Sequence, residues 1–185
     1  MSTKSYRGSL LVSNPNNPQD SLHQSVILLL AHTNKAAIGI QINHAISAVS
    51  LRTLAATIGL DYQGTESLWY GGNVDRNKIH VVHSNEWSGL STIKINDEIS
   101  VTNDISILVA ISQGIGPEYY RACAGYWIWD QGLLDVQLSN SSEPESRHRW
   151  EIAPTTIDSV FEDEGITQWI NTLEDSAQEQ IDSWF

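Results

Sequence analysis

The chain has 185 residues, 41% of them hydrophobic, with seven tryptophans and a single cysteine, Cys123. That composition supplies a substantial core and rules out an intramolecular disulfide. The formal net charge is −12 with no cluster of Lys or Arg, which excludes autonomous grip on a phosphate backbone.

The element pattern follows chain order. Ser9–Ser13 alternates weakly and is expected to be a short strand, closed by a turn cluster at Asn14-Pro15-Asn16-Asn17-Pro18. Ser25–Ala31 and Ala37–Ile42 are apolar, strand-length runs separated by His32-Thr33-Asn34-Lys35, a hairpin with one well-buried strand. Leu51, Leu54, Ala55 and Ile58 recur at helical spacing, and Gly59 stops that helix. Ser67–Tyr70 and Ile79–His83 are short strands flanking the Gly71-Gly72 turn, and Ile93–Ile95 with Ile99–Val101 forms another hairpin.

Asn103-Asp104 caps a helix carrying Ile105, Leu108, Val109 and Ile111, which Gly114 and Pro117 end. Tyr119–Trp127 returns as a strand, and Leu133, Leu134 and Leu138 suggest a short helix. A polar loop at Ser139–Ser146 precedes a last strand at Arg149–Ile152, and acidic amphipathic helices over about 155–161 and 165–182 close the chain. Strands that cluster as hairpins, not alternating with helices, predict an α+β domain with a mainly antiparallel sheet.

The longest apolar run, Val26–Ala31, is far short of the ~20 residues of a membrane-spanning helix, and Met1–Gly8 shows no signal-peptide pattern. A cytoplasmic, membrane-independent protein is the expectation. Its charge is uneven: residues 1–142 hold 11 acids and 8 bases, whereas 143–185 hold 11 acids and only Arg147 and Arg149. That acidic end is a solvated surface or a contact surface for a basic partner.

No phosphate loop, dinucleotide fingerprint, nucleophile elbow or His-Glu-x-x-His is present. His80 and His83 lie three apart in a strand and so point to opposite faces, which argues against a shared metal ion. Cys123 lies near Arg121, the cation that would activate a thiolate, but its flanking alanines favour a packed core thiol. The aromatic run Tyr119, Tyr120, Tyr126, Trp127, Trp129 could stack on bases or sugars, and is more simply core and sheet face.

Many short segments in one order resemble the AlgH/YqgE family of small bacterial proteins. They are Gly8-x-Leu10-Leu11-Val12-x-x-Pro15, Asp20, Ser25-Val26-Ile27-Leu28, His32 and Gly39-Ile40-x-Ile42-Asn43, then Tyr70-Gly71-Gly72-x-Val74 and Val82-His83. Thr102 with Asp104-Ile105, Gly114-x-Gly116-Pro117, Arg121, Gly125-Tyr126-x-x-Trp129-x-x-Gly132-x-Leu134, and Trp150 with Pro154 continue it over about residues 8–173. The resemblance implies one AlgH/YqgE-like domain over 1–185, with an acidic extension after about residue 174. It also implies an α+β fold with a bifurcated, barrel-like sheet flanked by helices. One branch is named for a proposed role in regulating alginate synthesis genes, and no family-wide catalytic residue or cofactor comes with the resemblance. The chain departs from the family pattern at His44, Ala45, Asn73, Trp127, Ile128 and Leu133, at turns and polar positions outside the core strands.

Three functions follow. The favoured one is a non-catalytic binding or regulatory protein acting through protein contacts, with no cofactor. The second is an enzyme or small-ligand binder whose site is assembled from Asn43, Gly71, Gly72, His83, Arg121 and Trp129, with Asn43, Gly72, His83 and Arg121 lining one concavity. The third, a transcriptional regulator, rests on the family name alone. Elemental analysis after dialysis is expected to find no stoichiometric zinc; finding it would mean that His80 or His83 has unseen partners. An anisotropy titration with duplex DNA at physiological salt should show binding weaker than the usual nonspecific ~10⁻⁴–10⁻⁶ M. Micromolar, salt-sensitive binding would refute that expectation.

Overall fold

The computed structural model describes residues 4–16, 21–139 and 150–183, so the loop expected at Ser139–Ser146 and the end of the first turn cluster lie largely outside the described residues. The first apolar runs form β1 (Leu10–Ser13), β2 (Val26–His32) and β3 (Ala36–Gln41). An unexpected strand, β4 (Ala45–Ser50), leads into α1 (Leu51–Thr57), and β5 (Ser67–Tyr70) follows. Next come β6 (Val74–Ser84), β7 (Ile93–Lys94), β8 (Ile99–Thr102), α2 (Ser106–Ser112) and the long β9 (Tyr120–Asp130). The chain ends with α3 (Leu133–Leu138), β10 (Trp150–Ala153), α4 (Ile157–Phe161) and α5 (Gly165–Asp182).

The strands form one sheet in the order β10-β1-β2-β3-β9-β6-β8-β7, with β4 and β5 on a side branch. Every pairing is antiparallel except β5–β9. The fold is therefore α+β and mainly antiparallel, as expected. The branching happens on β9. Its residues 122–124 pair with β5, its residues 127–130 pair with β3, and its other edge pairs with β6.

Alternation along the strands divides the core. Leu10, Val12, Val26 and Leu28 face a cluster closed by Val160 of α4 and Trp169 of α5. Leu11, Ile27 and Leu29 face the opposite side, where Trp129, Leu134 of α3 and Trp150 cover them. The indole N–H groups of Trp129 and Trp150 both donate to Gln137 Oε1, at 3.0 and 2.9 Å. A third cluster packs α1 and α2 against β5, β6 and β9 through Leu51, Ala55, Leu68, Ile107 and Leu108.

The differences from sequence-based expectation have local causes. β6 begins five residues early, because Val74 already pairs with Tyr126 and the polar stretch between it and Ile79, where Asp75 takes a left-handed φ of 47°, is taken up as a bulge. Asp104 caps α2 from one residue further out than expected: its Oδ1 accepts from Ser106 N at 3.0 Å, and the residue at the cap position is Ile105. The Gly71-Gly72 pair is buried where β3 and β5 diverge from β9. Gly71 N donates to Ala124 O at 2.8 Å, and Gly71 O accepts from Gln41 N at 2.8 Å. A Cβ on Gly72 would stand 2.1 Å from the carbonyl carbon of Tyr126, and the facing Gly125 needs a left-handed φ of 76°.

The obstruction at Gly72 is backbone, which cannot turn aside. Gly72→Ala should lower the unfolding free energy by about 3 kcal/mol, the upper end for overpacking. Urea denaturation measures it, and an unchanged midpoint would mean that the strands can part at the fork without loss.

Candidate functional site

Arg121 is the second residue of β9 and is 6% exposed. Its guanidinium spans three parts of the chain. Nη1 donates to Ile42 O at 2.7 Å and to Gln168 Oε1 at 2.8 Å, and Nη2 donates to Asp163 O at 2.6 Å. The guanidinium carbon lies 4.1 Å from the centroid of the Trp69 ring and 5.9 Å from that of Phe161. Burial pulls its pKa down to about 10, opposed by Cys123, Glu164 and Asp163, so it remains a cation at neutral pH.

Arg121 forms part of the wall of a cleft of about 420 Å³ between β5, the start of β9 and the α4–α5 turn. Trp69, Tyr119, Tyr120 and Phe161 give it aromatic surface, and the Tyr119 and Phe161 rings lie 5.7 Å apart at 31°. Glu66, Glu118, Glu162, Asp163 and Glu164 give it five carboxylates. None of the five is in an ion pair among the described residues.

At one end Glu66 is held by two phenols. Tyr62 donates to Oε2, Tyr120 lies 3.1 Å from Oε1, and the two hydroxyls are 2.8 Å apart. Burial pushes the Glu66 carboxyl up, but the hydrogen bonds from Tyr62, the backbone and Tyr120 outweigh it and leave the pKa lowered. Burial and the bond to Glu66 push the Tyr62 phenol the other way, above its ordinary value. The trio is therefore a fixed carboxylate with two neutral donors.

The residues singled out in the sequence are distributed, and each has a structural occupation. Asn43 is buried; its Oδ1 accepts from Val26 N at 3.0 Å, and its Nδ2 donates to Gln24 O at 2.8 Å and Gly165 O at 3.0 Å. Gly165 N returns a bond to Asn43 O at 2.9 Å. Asn43 and Arg121 are thus brought together, from either side of Ile42–Asn43, as the fastening of the α4–α5 turn. Gly71 and Gly72 belong to the sheet fork.

His83 is fully buried, and its Nδ1 lies 2.7 Å from Ser84 O. That bond makes Nδ1 the protonated nitrogen, so Nε2 is a lone acceptor without a partner among the described residues, beside the edge-on Trp87 ring. Burial lowers the His83 pKa, which keeps the ring neutral. Trp129 is core. Of the six residues, Arg121 alone contributes to the acidic cleft. Cys123 is likewise sealed, with its thiol pushed up to about 12 by burial.

The departures from the family pattern lie elsewhere, and not all outside the core strands as expected: Trp127 and Ile128 are in β9, paired with Gly39 and Ile38 of β3. His44 Nδ1 contacts Gln41 Nε2 at 2.9 Å, Trp127 donates to Gln41 Oε1 at 3.2 Å, and Ile128 is exposed. Ala45 opens β4, Asn73 is exposed, and Leu133 packs against the α3-side core.

The cleft carboxylates escaped sequence reasoning because they come from three separated segments with no common motif. The acid run Glu162-Asp163-Glu164 was the one visible trace. Among the described residues, no three of His, Cys, Asp and Glu converge as a metal-holding group, and no helix is long and apolar enough to cross a membrane.

Comparison with known proteins supports the fold and the family. The UPF0301 protein of Methylococcus capsulatus is 29% identical over 168 residues, covering 90% of this chain and 88% of that one. The UPF0301 protein of Gluconobacter oxydans is 28% identical over 170 residues, again covering 90% and 88%. The solution structure of the AlgH protein from Pseudomonas aeruginosa matches the fold with a TM-score of 0.74 at 22% identity, over 95% of this chain and 91% of that one. A crystal structure of a Corynebacterium diphtheriae protein matches with a TM-score of 0.69 at 17% identity, over 92% and 87%. The AlgH-like family model matches residues 10–179. With nearly its whole length matched, the chain belongs to the AlgH-like family, among the UPF0301 proteins.

Proposed function

We propose that this chain is a non-catalytic binding protein that acts through contacts with other proteins in the cytoplasm. One observation carries that reading: the groups with chemistry to offer are already committed to holding the fold. Arg121 and Asn43 fasten the α4–α5 turn, His83 donates to a neighbouring carbonyl, and Cys123 is a core thiol. A nucleophile or general base needs a side chain free to reach a reacting atom, with a pKa near the working pH. None of these four qualifies.

What the surface offers is charge and shape. The cleft beside Arg121 sets carboxylates around aromatic faces, which suits recognition by complementarity. The same cleft is large enough for a small molecule, since ligand sites run ~300–1,000 Å³. That keeps a small-ligand binder as the second reading, now centred on Arg121 and without Asn43, Gly71, Gly72, His83 and Trp129.

Native mass spectrometry of the protein purified from its own host separates the two. A protein partner retained in fixed stoichiometry through gel filtration, with no small molecule, is the expected result. A small molecule retained in place of a partner would overturn the proposal.

A further inference from the structure

We infer that residues 4–7 form an acid-released strap, latched by His32 and hinged at Gly8, whose departure opens a groove along α3 and β10. The inference goes beyond the protein-contact reading and stands or falls independently of it.

His32 is the last residue of β2 and is 9% exposed. Both of its ring nitrogens are occupied, and their partners make opposite demands. Nδ1 lies 3.2 Å from the backbone N of Tyr6, and an amide N–H can only donate, so Nδ1 must keep its lone pair. Nε2 then carries the proton of the neutral ring and faces Asp135 Oδ1 of α3 at 3.4 Å. The segment is tied to the same residue twice more. Ser5 Oγ donates to His32 O at 3.2 Å, and the Tyr6 ring stacks on the imidazole at 5.9 Å and 19°.

A second proton on the imidazole goes to Nδ1 and sets two donors against each other. The Asp135 carboxylate favours that charged ring and the Tyr6 ring face tolerates it, but the Tyr6 amide does not. Lys4, 5.2 Å from the Tyr6 centroid, brings a cation of the same sign on the segment itself. Lys35 in the β2–β3 turn and Asp130, opposite Ala36, are exposed and in no ion pair among the described residues, and Arg7 reaches away to Lys94 O at 2.8 Å. Between the two partners of the ring, the segment is the one that yields. Asp135 sits on a helix anchored by buried Leu134 and Gln137, whereas residues 4–7 belong to no helix or strand. Gly8 supplies the pivot, with a left-handed φ of 89° and its N–H held by Leu29 O at 2.8 Å. The latch is therefore whole while His32 is neutral and is lost as falling pH protonates it.

Tyr6 packs on the core cluster of Leu134 and Trp150, and with Lys4 it lines a groove of about 260 Å³ shared with Leu138, Trp150 and Ile152. Swinging the segment out removes that wall and bares the groove beside β10, the outermost strand of the sheet. The test follows the isotope-labelled whole chain by NMR from about pH 8 to about pH 5, reading backbone order and each histidine's own imidazole titration together. Order parameters at Tyr6 and Arg7 should fall from about 0.85 to below about 0.6, with the midpoint of His32, while those of β1 and β2 hold. His32→Asn puts an amide oxygen where Nδ1 stands, an acceptor that does not titrate, and should keep the segment ordered throughout. Asp135→Asn removes the carboxylate that favours the charged ring and should lower the midpoint by about half a pH unit.

A segment that stays ordered while His32 takes up its proton would overturn the inference, and so would a His32 ring that stays neutral across the whole range. Loosening that follows the titration of His23 or His44 would overturn it too, because the latch would then lie elsewhere. Equal loosening in His32→Asn and the parent would show a general acid effect on the N-terminal residues in place of a switch. A midpoint that rises in Asp135→Asn would contradict the placing of the neutral ring's proton on Nε2.

Discussion

A buried cation with no carboxylate in ion-pair contact among the described residues organises this fold. Taking a guanidinium out of water is costly unless its donors are accepted. Here the acceptors are the carbonyls of Ile42 and Asp163 and the amide of Gln168, with the Trp69 ring beneath. Each belongs to a different part of the chain: the end of β3, the α4–α5 turn, α5 itself, and β5. Gln168 is in turn fixed by donating to Ser159 O at 2.8 Å and Val160 O at 3.2 Å. The bonds from Arg121 thus hold two helices, far away in sequence, against the sheet. Asn43 repeats the fastening one residue beyond Ile42. Replacing either would leave several buried backbone groups unpaired, each costing about 1–3 kcal/mol.

The sheet's fork imposes the second constraint. β9 serves two neighbours in succession along one edge, so β3 and β5 must separate where Gly71 and Gly72 pass Gly125 and Tyr126. Glycines at a strand end suggest a ligand's approach as readily as they suggest a backbone's. In this chain the approaching group is backbone, and the cleft lies near the opposite end of β5, beside Thr65–Ser67 and the start of β9. That separation is why four chemically plausible residues do not converge.

Much of the fold was legible because it obeys period and punctuation. β2, β3, α1, α2 and α5 follow from apolar runs at strand or helix spacing bounded by polar turns. The family pattern foretold the branched sheet. β4 was not legible: half of Ala45–Ser50 is exposed and none of it is fully buried, and its register with β5 shifts between Ala45 and Ser50, so alternation does not mark it. The first half of β6 was hidden for a similar reason, since Asp75, Arg76, Asn77 and Lys78 are solvent-facing. Of the candidate site, Arg121 was legible as an isolated cation in an apolar strand. Its partners were not, because main-chain carbonyls carry no side-chain signature.

The carboxylates around the cleft divide into two groups with different physical origins. Asp163 and Glu164 immediately precede α5, where the helix dipole favours negative charge. Their presence needs no ligand to account for it. Glu66 and Glu118 have no such reason to be there: one precedes β5, the other precedes β9, and neither begins a helix. Glu66 is moreover held by two phenols, Tyr62 and Tyr120, which stabilise it as an anion. A lone exposed carboxylate gains little from such an arrangement, whereas one that must present a fixed negative charge gains orientation. Among the residues that line the cleft, Arg121 is the one Lys or Arg against five acidic residues.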